Sequence, residues 1–183
     1  MRLWRGNQIE ERINALIPRL YAIARSWGCM SDVCDDLIQE TLTIALTKQE
    51  QLRDPLALDC WMIRILVNAH RQHLRKRKWL TSLEATELID EMGPTYHLEA
   101  NRTVERVRIG IKTLSDEHRK VLVLIDMEGL NYRDAADVLD IKIGTVMSRL
   151  ARARNKLRKL LSDDDFLETK SIETNAVNLR RVK

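Results

Sequence analysis

The segment Asn131–Leu161, NYRDAADVLDIKIGTVMSRLARARNKLRKLL, decides the fold. It reads as two helices joined by a tight turn. Asn131 is a good N-cap residue, and Asp134 brings negative charge to the first helical turn. Ala135, Ala136 and Leu139 give that helix a small apolar inner face, against which a second helix can cross closely. The turn falls at Asp140–Lys142, and Asp tolerates the left-handed conformation better than most non-glycine residues. The second helix starts near Lys142–Thr145. Ile143, Val146, Leu150, Ala153, Leu157 and Leu160 recur at three- and four-residue steps and form one apolar stripe. Lys142, Arg149, Arg152, Arg154, Lys156, Arg158 and Lys159 fall mostly off it, and no acidic residue lies between Asp140 and Asp163. A helix of about 20 residues is about 30 Å long, so only its first half fits deep in a major groove. The plain reading is a solvated basic helix on a bundle. The preceding helix and turn favour a DNA-reading helix–turn–helix instead.

The whole chain has 183 residues and a formal net charge of +4, which suits a polyanionic partner. Glycine and proline are few, and β-branched alternation is absent over any useful length. An all-α protein of two small helical domains follows, each with a thin core. Cys29, Cys34 and Cys60 form no CxxC motif and read as reduced thiols of a cytoplasmic protein. His70 and His73 form HxxH with no carboxylate or cysteine at metal-site spacing, so no metal and no cofactor are expected. The opening MRLWRGNQIEER lacks the apolar core of a signal peptide. No run approaches the roughly 18 apolar residues that span a bilayer, so no membrane insertion is expected.

Toward the N-terminus, Ile9, Ile13, Leu16, Leu20, Ile23 and Trp27 trace a buried helix face, with Gly28 as its stop. Ser31 or Asp32 is expected to cap the next helix, SDVCDDLIQETLTIALTK, whose Val33, Leu37 and Ala45 face the core. Asp32, Asp35, Asp36, Gln39 and Glu40 form an acidic patch that pattern alone makes a solvated face. Glu50–Pro55 reads as a loop. A long helix from about Leu56 to Trp79 follows. Its Trp61 suits core packing more than base stacking. Asn68 fits a base edge or a buried polar contact equally well. Arg71, Arg75, Lys76, Arg77 and Lys78 form a charge run that also suits a helix C-terminus. The stretch Leu80–His97 is acidic and broken by Gly93-Pro94. Val104, Val107, Ile111 and Leu114 mark another helix. Ser115, with Asp116 and Glu117, caps one more, running to about Asp126 and ended by Gly129. The tail 162–183 has the polar composition of disorder.

GLNYRDAADVLDIKIGTVMSRLARARNKLRKLL resembles region 4 of bacterial extracytoplasmic-function (ECF) sigma factors, and TLSDEHRKVLVLIDMEGLNY resembles region 4.1. DDLIQETLTIAL is similar to region 2.2, and DCWMIRILVNAHRQHLRKRKW to regions 2.3–2.4. The resemblance implies a region 2 helical bundle at 8–79, an acidic linker at 80–101, a region 4 helix–turn–helix at 102–161 and a tail at 162–183. It implies a transcription initiation factor and no enzyme. Its partners would be core RNA polymerase, through the β′ clamp helices and the β flap, promoter DNA and an anti-sigma factor. Asp36, Gln39 and Glu40 would contact polymerase. Asn68, Arg71, Arg75 and Arg77 would serve the −10 element, and the Glu50–Pro55 loop would border its flipped base. Lys142, Thr145, Ser148, Arg149, Arg152 and Arg154 would serve the −35 element, with Ser148, Arg149 and Arg152 nearest the bases. Asp140 stands where many relatives have Gly, and Met147 where many have Lys or Arg, which implies an altered −35 preference. The other reading is a sigma-like decoy that sequesters an anti-sigma factor; the intact basic helix favours the DNA reader.

Overall fold

Apolar side chains spaced three and four residues apart set the architecture of the computed structural model, which describes residues 2–52, 54–84 and 102–162. The helices are α1 (Arg2–Ser26), α2 (Ser31–Thr47), α3 (Leu58–Glu84), α4 (Arg102–Lys112), α5 (Asp116–Leu122), α6 (Tyr132–Leu139) and α7 (Ile143–Ser162). No strand occurs among the described residues, so the all-α expectation holds.

The α1–α3 half closes on Ile13, Leu20, Ile23, Leu37, Ile38, Leu58, Met62, Ile63 and Leu66, all fully buried. Each such side chain contributes about 1.5–3 kcal/mol on leaving water. Gly28 ends α1 with φ +90, a conformation that glycine adopts without strain. The start of α2 differs from expectation. Met30 is the N-cap and Ser31 is already helical, so neither Ser31 nor Asp32 caps it. Cys29 and Cys34 instead occupy the staple positions flanking the cap, and the Cys34 thiol donates to the Cys29 carbonyl at 3.6 Å. The start of α3 also shifts, because the Asp54 carboxylate accepts the Leu56 N–H and Pro55 opens a 3-10 turn over Pro55–Ala57. At its other end α3 continues past Trp79 to Glu84, since LTSLE holds no helix breaker. Of the stretch 80–101 only that helix end is described, and the tail beyond Ser162 lies outside the described residues.

The α4–α7 half packs around Val121, Leu122, Val123, Leu124, Ala135, Val138, Val146, Leu150 and Ala153. The end of α5 widens into a π turn over Val123–Met127. Asn131 caps α6 as expected, its side-chain oxygen accepting the Asp134 N–H at 2.9 Å. Asp140 closes α6 in the left-handed region, at φ 51 and ψ 53. Where α4 crosses α7, a Cβ on Gly110 would meet Leu157 Cδ1 at 2.5 Å, so glycine there allows the close approach. Ile143, expected on the buried stripe, is exposed, because it opens α7 before the helix turns onto its neighbours.

Candidate nucleic-acid interface

The cap of α6 and the left-handed Asp140 together aim the leading end of α7. Lys142, Ser148 and Arg152 are exposed there, and Thr145 is half-buried. The Ser148 hydroxyl donates to the Thr145 carbonyl at 3.1 Å. Arg149 is anchored by Glu117 of α5, Nη2 to Oε2 at 2.8 Å. Met147 is 54% exposed at the same end, an uncharged side chain in a basic surround. Arg154 sits apart from this group. Its guanidinium forks onto Asp126, Nε to Oδ2 at 3.0 Å and Nη2 to Oδ1 at 2.5 Å. That pair borders a groove of about 450 Å³ lined by Val107, Ile111, Leu122, Met127, Leu157 and Leu161. Farther along, Lys156 donates to the Thr113 carbonyl at 2.9 Å and Arg158 to Asn155 at 3.2 Å.

On α3, Asn68, Arg75 and Arg77 are exposed, whereas Trp61 is half-buried against the core, as its surroundings suggested. Arg71 is engaged inside the molecule: its Nη2 donates to the Leu139 carbonyl at the end of α6. Asp36, Gln39 and Glu40 all lie exposed on α2. Their spacing puts them on one helix face. Beside them the Tyr21 hydroxyl donates to Asp35 at 2.8 Å.

Between the two halves lies a polar seam that the sequence did not bring together. Arg19 of α1 donates to Asp59 at 2.7 Å and reaches across to the Glu128 carboxylate at 2.6 Å and carbonyl at 3.2 Å. Arg119 of α5 donates to the Trp27 carbonyl, and to those of Ile111, Lys112 and Leu114 at 3.1, 2.6 and 2.9 Å. Lys120 is buried, paired with Asp116 at 2.8 Å and lying 5.6 Å from the Trp27 ring centre. The His70 ring stands 5.2 Å from the same indole. Burial pushes the Lys120 ammonium pKa down, against the pull of Asp116. Burial first, then the Lys120 charge, push His70 down to about 4, so it is neutral at pH 7. Trp27 Nε1 and His70 Nδ1 are buried without a hydrogen-bond partner. The one sequence signal for this seam is Asp116 four residues before Lys120, on the inward side of α5; Arg19 and Arg119 carry none.

Cys29, Cys34 and Cys60 are free thiols. Among the described residues no cluster of His, Cys, Asp and Glu is suited to hold a metal. Nor, among them, is any helix long and apolar enough to cross a membrane.

A family model described as Sigma-70 region 2 matches residues 13–80, and one described as Sigma-70, region 4 matches residues 110–157. The chain is 35% identical to the ECF RNA polymerase sigma factor EcfG of Rhodopseudomonas palustris over 162 residues, 86% of this chain and 87% of that protein. It is 31% identical to the ECF RNA polymerase sigma factor SigM of Mycobacterium tuberculosis, over 89% of this chain and 77% of that protein. Among solved structures, the sigma factor RpoE of Bartonella quintana, in complex with the anti-sigma factor NepR, is similar at a TM-score of 0.77 and 29% identity, covering 86% of this chain and 98% of that chain.

Proposed function

We propose a division of labour for this chain, which belongs to the sigma-70 family in its extracytoplasmic-function group and directs RNA polymerase to promoters. The α4–α7 half, 102–161, reads the −35 duplex and the α1–α3 half, 8–79, handles the −10 element. Lys142, Thr145, Ser148, Arg149 and Arg152 face the −35 major groove. Arg154, forked onto Asp126, steadies α7 from the side and contributes charge more than base reading. Asn68, Arg71, Arg75 and Arg77 hold the −10 strand, with Arg71 available once it leaves Leu139. Asp36, Gln39 and Glu40 dock on core polymerase, where charged groups set encounter rate and register. The chain acts in the cytoplasm and does no covalent chemistry; core polymerase supplies nucleotidyl transfer. Because the Bartonella relative is held by an anti-sigma factor, this chain is assigned such a partner as well.

The observation that carries the −35 reading is the open, basic leading end of α7, with Arg152 exposed and Arg149 braced by Glu117. A bidentate arginine–guanine contact discriminates by about 1–3 kcal/mol. Arg152→Ala is therefore expected to weaken −35 binding and relax preference at one or two base pairs. Arg158→Ala, too far along the helix to reach bases, is expected to weaken all sequences evenly and lower the salt slope by about one unit. Binding of the full chain with core polymerase to −35 duplexes and their single-base variants, at several salt concentrations, separates the two. Base preference unchanged in Arg152→Ala would remove Arg152 from the reading face.

A further inference from the structure

We infer that Met147 reads a thymine: its side chain meets the C5-methyl group of one base in the −35 duplex and makes the chain demand an A·T pair there. The contact depends on the −35 reading above and adds to it a base feature that hydrogen bonding leaves unread.

Side chains four residues apart form ridges along a helix. Two such ridges run side by side along the leading end of α7. One carries Ser148 and Arg152, both exposed, whose side chains hydrogen-bond to base edges. The other carries Ile143, Met147 and Ala151, exposed as well, Ile143 by 43% and Met147 by 54%. No side chain on this second ridge bears a charge or a strong hydrogen-bonding group. Gly144 keeps the ground ahead of Ser148 open, since a Cβ built there would meet nothing within 4 Å. A helix about 10–12 Å across fills a major groove about 12 Å wide, so both ridges face base edges once α7 enters it.

The chemistry of the groove floor decides what the apolar ridge can meet. Guanine, cytosine and adenine present hydrogen-bonding groups there, and thymine alone adds a methyl group. A thioether laid on the donors and acceptors strips them of water and returns no comparable bond. Laid on the methyl, it buries apolar surface on both sides. Methionine suits this contact, because its three rotatable bonds let the side chain follow the methyl's position. The surroundings favour DNA over a protein as the occupant. Lys142, Arg149 and Arg152 flank the ridge, and no acidic residue occurs from 141 to 162. A strip of three apolar side chains is also narrow beside the roughly 20–30 residues that each partner brings to a stable protein interface.

Removing a single methyl group tests the contact. The full chain with core polymerase selects −35 duplexes from a randomised pool. Each thymine of the selected element is then replaced in turn by deoxyuridine, which lacks only the C5-methyl. Burying one such carbon is worth about four-fold in affinity. At one position deoxyuridine should therefore weaken binding about four-fold in the wild type and hardly at all in Met147→Ala. Arg152→Ala should keep that penalty, because its own base contact is a separate one. Met147→Lys should lose the penalty and steepen the salt dependence by about one unit. Alanine and lysine are both good helix formers, and circular dichroism checks that helicity is kept. A wild type indifferent to deoxyuridine at every position, or a Met147→Ala variant that keeps the penalty, overturns the methyl contact and leaves the −35 reading standing. A Met147→Ala variant that loses affinity for core polymerase alone, with its response to deoxyuridine unchanged, assigns the ridge to a protein partner and overturns the contact as well. A wild type that selects no −35 sequence from the pool overturns the −35 reading and the contact together.

Discussion

The two faces proposed here to meet nucleic acid are built on different scales. The leading end of α7 is made locally. One cap, one left-handed residue and one helix bring Lys142, Ser148, Arg149 and Arg152 to a common side, and Glu117 braces Arg149 there. The corresponding part of α3 is composite. Arg71 ends on α6, and His70 lies under the indole of Trp27, just past the end of α1, and near a lysine from α5. A local face withstands changes elsewhere in the chain, whereas a composite one moves with every element that completes it.

The largest expected effect comes from removing the pivot of the composite side. Trp27 is 2% exposed, packed in the α1–α3 core and overlain by both His70 and Lys120. Trp27→Ala should cost about 3–5 kcal/mol through the cavity it leaves. Lys120 also loses the ring that lies against its charge. In urea titrations of the full chain, the α1–α3 half should unfold first and the seam should part with it. Binding of −35 duplex at low denaturant should persist. Parallel loss of duplex binding would break the comparison, because it would make α7 depend on the same tertiary contacts as α3.

Protonation should weaken the same seam less, and reversibly. His70 is held neutral, with a folded pKa near 4 against an ordinary value of 6.5. The folded form therefore binds fewer protons than the unfolded one. Its stability is fully present above about pH 6.5 and is lost as the pH falls toward about 4. Between pH 7 and 5 the loss comes to about 2 kcal/mol. Lys120, Asp116, His73 and Arg119 all bear on this imidazole, and the cations among them outweigh the one carboxylate. His70→Gln should flatten the pH dependence of unfolding over that window while leaving stability at pH 5 no worse than wild type. A pH profile that His70→Gln does not alter would place the titrating group elsewhere.

The same contrast explains what was legible in the sequence. The helix–turn–helix could be read from Asn131, Asp140 and the Val146–Leu150–Ala153 stripe, because caps, turns and stripes are properties of neighbouring residues. The α1 face from Ile13 to Trp27 was legible for the same reason. The true cap of α2 was not, since Met30 caps through backbone shape alone while Ser31 carries the textual signal. The commitment of Arg71 to Leu139 could not be seen either. A basic residue in a charge run looks solvated until the fold brings a carbonyl 68 positions away to meet it. Arg19 and Arg119 escaped notice because helix surfaces are rich in arginine, and nothing in their local pattern distinguishes a seam from water.

The smallest expected effect sits at the hinge between the two kinds of site. Asp140 holds φ 51 and also borders the cleft opposite Arg64. A left-handed conformation disfavours most L-residues by roughly 1–2 kcal/mol, and less for Asp, which is among the residues that adopt it singly. Asp140→Gly removes that strain but gives the unfolded chain more freedom, worth about 0.4–1 kcal/mol in the opposite direction. The two terms nearly cancel if the turn is purely local. The stability change at pH 7 should then stay within about 0.5 kcal/mol, and −35 duplex binding should hardly move. A loss well beyond about 1 kcal/mol would mean that the Asp140 carboxylate serves the seam as well as the turn. Paired measurements in Arg64→Ala decide between these. If the Asp140→Gly effect shrinks when Arg64 is absent, the carboxylate acts across the cleft. The turn that aims the recognition helix would then belong to the composite side of the molecule. If the effect is the same in both backgrounds, the strain belongs to the backbone alone and α7 keeps its independence.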